Sequence, residues 1–150
     1  MSTAPVLDLV KTVTVPAPPA RAFAVFVDEI GAWWPLGGFS VGGATSTVAF
    51  ERDDDGRATR LVETLADGRA ADWGTVTRWE PPRAVAFTWH PGERADAATH
   101  VEVTFTPDGD GTLVCLLHGA WAARSDGAAA RERYDTGWEA VLAPFAAAAR

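Results

Sequence analysis

Cysteine, lysine, tyrosine and methionine occur once each in these 150 residues, and histidine only three times. A lone Cys115 cannot close an internal disulfide, so nothing requires an oxidising compartment, and the cytoplasm is the expected location. No apolar run approaches the roughly 20 residues of a membrane span. The first residues show no basic-then-apolar leader, so membrane insertion is not expected. Positive charge is scarce as well: 13 Lys+Arg against 20 Asp+Glu give a net charge of −7. That speaks against nucleic acid, because a phosphate-binding surface needs a basic face that releases counterions.

The common chemical motifs are missing too. There is no G-x-S-x-G elbow, and the glycines at 37–43 lack the Walker lysine and its strand–loop–helix setting. Asp53-Asp54-Asp55 has neither EF-hand spacing nor a glutamate at the twelfth position, and reads as a solvated turn. Cys115 and His118 fall in one predicted strand at an odd separation, so they point to opposite faces. His90 and His100 flank a hairpin-like loop without a third ligand at a diagnostic spacing. No metal and no cofactor are expected.

What the chain does have is aromatic mass. Seven Trp and seven Phe stand beside one Tyr, in a chain that is 47% hydrophobic and 22% charged. This is the balance of one globular domain, and so much rigid ring area forms either a dense core or an aromatic-walled pocket.

Residues 6–15 alternate as a half-buried strand, with Leu7, Leu9, Lys11, Val13 and Val15 on one side. Pro16, Pro18 and Pro19 end it, and a proline suits the first position of a following helix. In that helix Phe23, Phe26, Val27 and Ile30 form one stripe. Gly31 breaks the pattern, Trp33-Trp34-Pro35 closes it, and residues 36–44 read as a glycine-rich loop. Six strands separated by turn signals follow, predicted at 45–52, 57–65, 70–79, 85–89, 99–106 and 112–121. Residues 128–149 read as one long helix, with Tyr134, Trp138, Val141, Leu142 and Phe145 at helical spacing. Within it Pro144 removes a hydrogen bond, and Gly137 is read as a packing feature. No boundary or repeat divides the chain, so one domain spanning 1–150 is expected. The order of elements makes it α+β, with the final helix covering the apolar face of an antiparallel sheet and a pocket in the gap between them.

Three stretches then carry a resemblance: GTVTRWEPPRAVAFTWHP at 74–91, HVEVTFTPDGDGTLVCLLHGAW at 100–121 and YDTGWEAVLAPFAA at 134–147. Over residues 8–148 the chain resembles the START-like helix-grip (SRPBCC) superfamily, and within it the branch of the activator of heat-shock-protein-90 ATPase homologues. The resemblance implies a curved seven-stranded antiparallel sheet wrapped around the C-terminal helix, with two short helices after the first strand and a hydrophobic cavity between sheet and helix. It also implies relatives that carry lipids or hormones, polyketide aromatase/cyclases, and a co-chaperone domain. The eukaryotic co-chaperone has an additional N-terminal domain that contacts the chaperone, and no counterpart is expected before Val6.

The function expected is therefore binding of a small apolar or aromatic ligand inside that cavity. A cyclase/aromatase-like enzyme and a chaperone-interacting module are the alternatives, and a homodimer is compatible with each. The candidate ligand-binding residues are Trp33, Trp34, Phe39, Phe87, Trp89, His118, Trp121, Tyr134 and Trp138. Trp33 and Trp34 are adjacent and cannot point the same way, so one is expected to wall the pocket while the other covers the surface or both staple the helix pair to the sheet. His118 lies on a strand whose two faces are both apolar; turned inward it is either a proton carrier or a histidine satisfied by its neighbours. Tyr134, on the buried stripe, needs a partner for its hydroxyl. Glu51, Glu63, Asp72 and Glu102 are expected mostly on the wet convex side of the sheet.

Overall fold

Seven segments bounded by turn residues are strands in the computed structural model, which describes residues 5–150. The first strand, β1, is Leu9–Val15, followed by the helices α1 (Pro19–Asp28) and α2 (Ile30–Trp33). The remaining strands are β2 (Thr47–Arg52), β3 (Ala58–Thr64), β4 (Ala70–Glu80), β5 (Ala84–Trp89), β6 (Thr99–Asp108) and β7 (Gly111–Gly119). The long helix α3 (Gly127–Ala148) closes the order. The strands form one antiparallel sheet in the order β1-β7-β6-β5-β4-β3-β2. This is an α+β helix-grip fold.

Curvature has identifiable sources. Register slips within the β2–β3, β3–β4 and β4–β5 pairs, and each irregularity bends and twists the strand that carries it. At the tightest approach a Cβ on Gly74 would lie 1.7 Å from the Thr88 carbonyl oxygen, so only glycine fits there.

Pro19 occupies the first turn of α1, where its missing N–H costs no hydrogen bond. Phe23 and Phe26 of α1 pack edge-on against Phe105 of β6 at 5.2 and 5.9 Å. Phe26 also meets Phe145 of α3 at 5.4 Å. The helical stripe breaks earlier than the sequence suggests: α1 stops at Asp28, and Ile30 starts α2, with Gly31 inside it. Trp138, Val141, Leu142 and Phe145 turn α3 toward the sheet, and the helix runs through Pro144 to Ala148. Charge ties α3 to the edge strand: Lys11 pairs with Asp135 at 2.5 Å and Glu139 at 3.0 Å, and Arg131 donates to the Leu7 and Asp8 carbonyls.

One further expectation is corrected. The last strand ends at Gly119 rather than Trp121, because Ala120 adopts a left-handed conformation (φ 59°) that turns Trp121 back beneath the sheet. Cys115 is half-buried on the outer face of β7, opposite Thr12 and Thr104. Among the described residues no helix is long and apolar enough to cross a membrane.

Candidate functional site

A recess of about 490 Å³ opens beside Trp89 and Trp138. The loop at 38–41 forms one wall, residues 91–93 after β5 another, and Tyr134, Gly137, Trp138 and Val141 of α3 the floor. Its deep end is indole. Trp34 stands 5.8 Å from Trp89 and 5.9 Å from Trp138, and Trp89 and Trp138 are 5.4 Å apart, measured between ring centroids. Each indole N–H of the three is already committed. Trp34 donates to the Phe39 carbonyl (2.8 Å), Trp89 to the Tyr134 hydroxyl (2.9 Å) and Trp138 to Nδ1 of His118 (3.0 Å). What these rings offer the recess is carbon.

Of the nine candidate residues, Trp34, Phe39, Trp89, Tyr134 and Trp138 border this recess. Trp33, Phe87, His118 and Trp121 lie behind it. Both Trp33 and Trp34 are buried, so neither covers the surface. Trp33 turns into the core against Phe26 and Phe145 and donates to the Val25 carbonyl at 2.8 Å. Phe87 packs between Phe50 and Trp89. Gly137 is a recess residue: a Cβ there would sit 3.4 Å from the Phe39 ring.

His118 faces inward, fully buried, and is locked on both sides. Because the Trp138 indole can only donate, Nδ1 of His118 must accept, which places the ring proton on Nε2. Nε2 then donates to Thr99 Oγ1 at 2.7 Å, and Thr99 donates to the Trp89 carbonyl at 3.2 Å. Trp121 stacks on the imidazole at 4.0 Å and donates to the His118 carbonyl. Burial, with the charges of Arg124 and His100 in support, holds the imidazole pKa down to about 3. Of the two roles open to an inward His118, the structure favours the histidine satisfied by its neighbours.

The polar side of the recess comes from residues the sequence did not single out. Arg124 and Arg133 border it together with Glu93, and Asp126 ties the two arginines together. Arg124 Nε and Nη2 grip Asp126 at 2.7 and 3.0 Å, and Nη2 also reaches Glu93 at 3.4 Å. The Tyr134 hydroxyl accepts from Trp89, leaving its own proton to donate. Burial raises the phenol above its usual range despite the Trp89 bond and the nearby arginines, so it stays a donor at neutral pH.

Glu63 is the largest correction. It is fully buried on the inner face, not on the wet side. Its two carboxylate oxygens accept from the backbone N–H of Val41 (2.9 Å), the N–H of Gly42 (2.8 Å) and the indole of Trp73 (3.0 Å). Burial pushes this carboxyl up, but the hydrogen bonds from Ser46, Val41, Gly42 and Trp73 outweigh it and hold the pKa below the usual range. Glu63 therefore pins the loop that walls the recess. Parity was a usable signal, because Leu61, Glu63 and Leu65 share a strand face. The other histidines lie apart: His90 pairs with Asp72 at 3.3 Å, and His100 bonds Thr77 at 2.8 Å. Among the described residues no three His, Cys, Asp or Glu side chains converge as a metal's donors would.

Residues 16–150 match the family model described as activator of Hsp90 ATPase homolog 1-like protein. No curated protein matches the chain. Among solved structures, CalU16 from Micromonospora echinospora is similar at 20% identity and TM-score 0.62, over 95% of this chain and 75% of that one. A protein of Mesorhizobium loti is similar at 18% and 0.64, over 95% and 96%. At these identities the two show a shared fold. The anthrahydroquino-γ-pyrone synthase Txn09, solved as a complex, is similar at 29% and 0.60, over 96% and 97%.

Proposed function

The chain belongs to the activator of Hsp90 ATPase homolog 1-like family, and on that premise we propose that it binds a small, largely apolar aromatic ligand in the recess beside Trp89 and Trp138. One observation carries the reading: three tryptophans border the recess with every indole N–H already bonded within the protein. Surfaces of that kind gain about 25 cal/mol for each Å² of apolar area removed from water, and little from a polar guest. The proposal treats the chain as a single helix-grip domain acting in the cytoplasm.

Thermal denaturation across a panel of apolar aromatics tests it. A ligand at a hundredfold excess over its Kd should raise Tm by about 5–10 °C. Gly137→Leu should abolish that shift by filling the recess at the Phe39 contact. The unliganded variant should be no less stable, because leaving glycine gains up to about 1 kcal/mol in a helix. A panel without any shift, or an undiminished shift in Gly137→Leu, overturns the reading.

A second reading, a polyketide cyclase/aromatase-like enzyme, draws support from the similarity to the synthase Txn09 over nearly the whole of both chains. In that case Tyr134 is the group able to hand a proton to a guest, since His118 is engaged at both nitrogens. Turnover of a bound polyketide that is lost in Tyr134→Phe would separate catalysis from carriage. A chaperone-interacting module has the family description alone in its favour.

A further inference from the structure

We infer that the ligand carries an anionic oxygen, a carboxylate or phenolate on its aromatic ring, received at the edge of the recess by Arg124 and Tyr134. The inference rests on the reading above that the recess takes an aromatic guest, and it adds the chemistry of the guest's polar end.

Asp126 grips Arg124 through Nε and Nη2, and Glu93 takes a longer contact to the same Nη2. A guanidinium has five N–H donors. Among the described residues nothing accepts from Nη1, so both of its protons are uncommitted on a side chain that is only 10% exposed and borders the recess. Tyr134 supplies a further donor beside it. Trp89 can only donate, so the Tyr134 hydroxyl spends a lone pair on Trp89 and keeps its proton. Arg133, also on the wall, donates to Asp126 through Nη2 at 3.2 Å. The recess wall thus carries two arginines against the single carboxylate of Glu93, with Asp126 behind Arg124 fixing its plane. Uncommitted N–H and O–H donors in a site otherwise walled by indole carbon call for an acceptor. A charged oxygen forms the stronger bonds, since charge-assisted contacts are roughly twice as strong as neutral ones. A cationic guest would face the two guanidiniums, and the two carboxylates beside them, Glu93 and Asp126, are already paired to those guanidiniums.

The experiment is calorimetric titration of the whole chain with three probes on one ring system: 2-naphthoate, 2-naphthalenemethanol and 2-naphthylmethylammonium. The carboxylate should bind about tenfold more tightly than the alcohol, and the ammonium most weakly. Arg124→Met keeps the aliphatic stem and removes the guanidinium; it should erase the preference for 2-naphthoate, weakening the carboxylate about tenfold and the alcohol much less. Tyr134→Phe should weaken 2-naphthoate by about threefold to tenfold. Equal affinity for all three probes in the wild type overturns this inference while leaving the aromatic recess standing. Failure of every probe to bind overturns the reading beneath it and the inference with it. If Arg124→Met loses its fold by circular dichroism, Tyr134→Phe decides: an unaltered carboxylate preference there overturns the assignment.

Discussion

Between pH 6.5 and 4.5 the protein should lose about 2 kcal/mol of stability through His118, on a slope that steepens to about 1.4 kcal/mol per pH unit below pH 6. The imidazole is held neutral in the fold, down to about 3, against an ordinary value near 6.5 once the chain unfolds. The unfolded chain therefore binds the proton that the folded chain refuses. The contribution is complete about one unit above pH 6.5 and drains away as the pH falls toward 3. Two features make the fold refuse it. Nδ1 accepts from Trp138, so a proton there would meet an indole N–H, and the ring is sealed between Trp121 and Tyr134 at 4.0 and 4.9 Å. Urea midpoints taken at half-unit pH steps measure the slope. Nitrogen-15 histidine spectra should show His118 as the Nε2–H tautomer with no titration above pH 4. A flat midpoint from pH 6.5 to 4.5, or a His118 signal that titrates near neutrality, would refute the locked network.

The inward orientation of His118 was legible in the sequence, though not from its own strand. Leu113, Cys115 and Leu117 make the outer face of β7 as apolar as the inner one, so alternation alone cannot choose between them. The neighbouring hairpin can. The turn at Gly109-Asp110 pairs Asp108 with Gly111, and counting back along both strands sets Val101 opposite His118 and Phe105 opposite Val114. Since Val101, Val103 and Phe105 form a clear apolar face, His118 must share it. The succession of strands along the chain and the long final helix were equally readable, because period-two and period-3.6 patterns hardly overlap here. Trp121 was not readable. Its return beneath His118 depends on Ala120 adopting a left-handed conformation, and alanine announces no such turn. Nor was the polar edge of the recess, because Glu93, Arg124 and Arg133 come from a loop after β5, the connection after β7 and α3, and only the folded chain brings them together.

Glu63 joins the question of legibility to that of stability. Its parity with Leu61 was visible, but a buried carboxylate is tolerable only where donors surround it, and besides the Trp73 indole those donors are backbone groups of a loop about twenty residues earlier. The loop reaches β3 because Gly42 has no side chain; a Cβ there would stand 2.5 Å from Leu65 Cδ2. Replacing the carboxylate by its neutral isostere should therefore be costly despite the conserved shape. In Glu63→Gln one oxygen becomes an NH₂ group, and at the Oε2 position it would point a donor at the Gly42 N–H. The expected loss is about 2–3 kcal/mol in urea, and Glu63→Leu, which strands all three donors, should lose about 4–5. Amide exchange at Val41 and Gly42 should quicken in both variants, and because Val41 walls the recess, aromatic binding should weaken along with stability. The native carboxyl titrates below its ordinary range, so its contribution is intact above about pH 4.5 and lost only as the pH falls through the lower folded value, beneath the upper part of the His118 window. Glu63→Gln should thus make the loss below pH 4.5 shallower, since His118 still contributes there, and leave the slope between 6.5 and 4.5 unchanged. A variant as stable as the wild type, with Gly42 still protected from exchange, would mean that the carboxylate does not hold the loop.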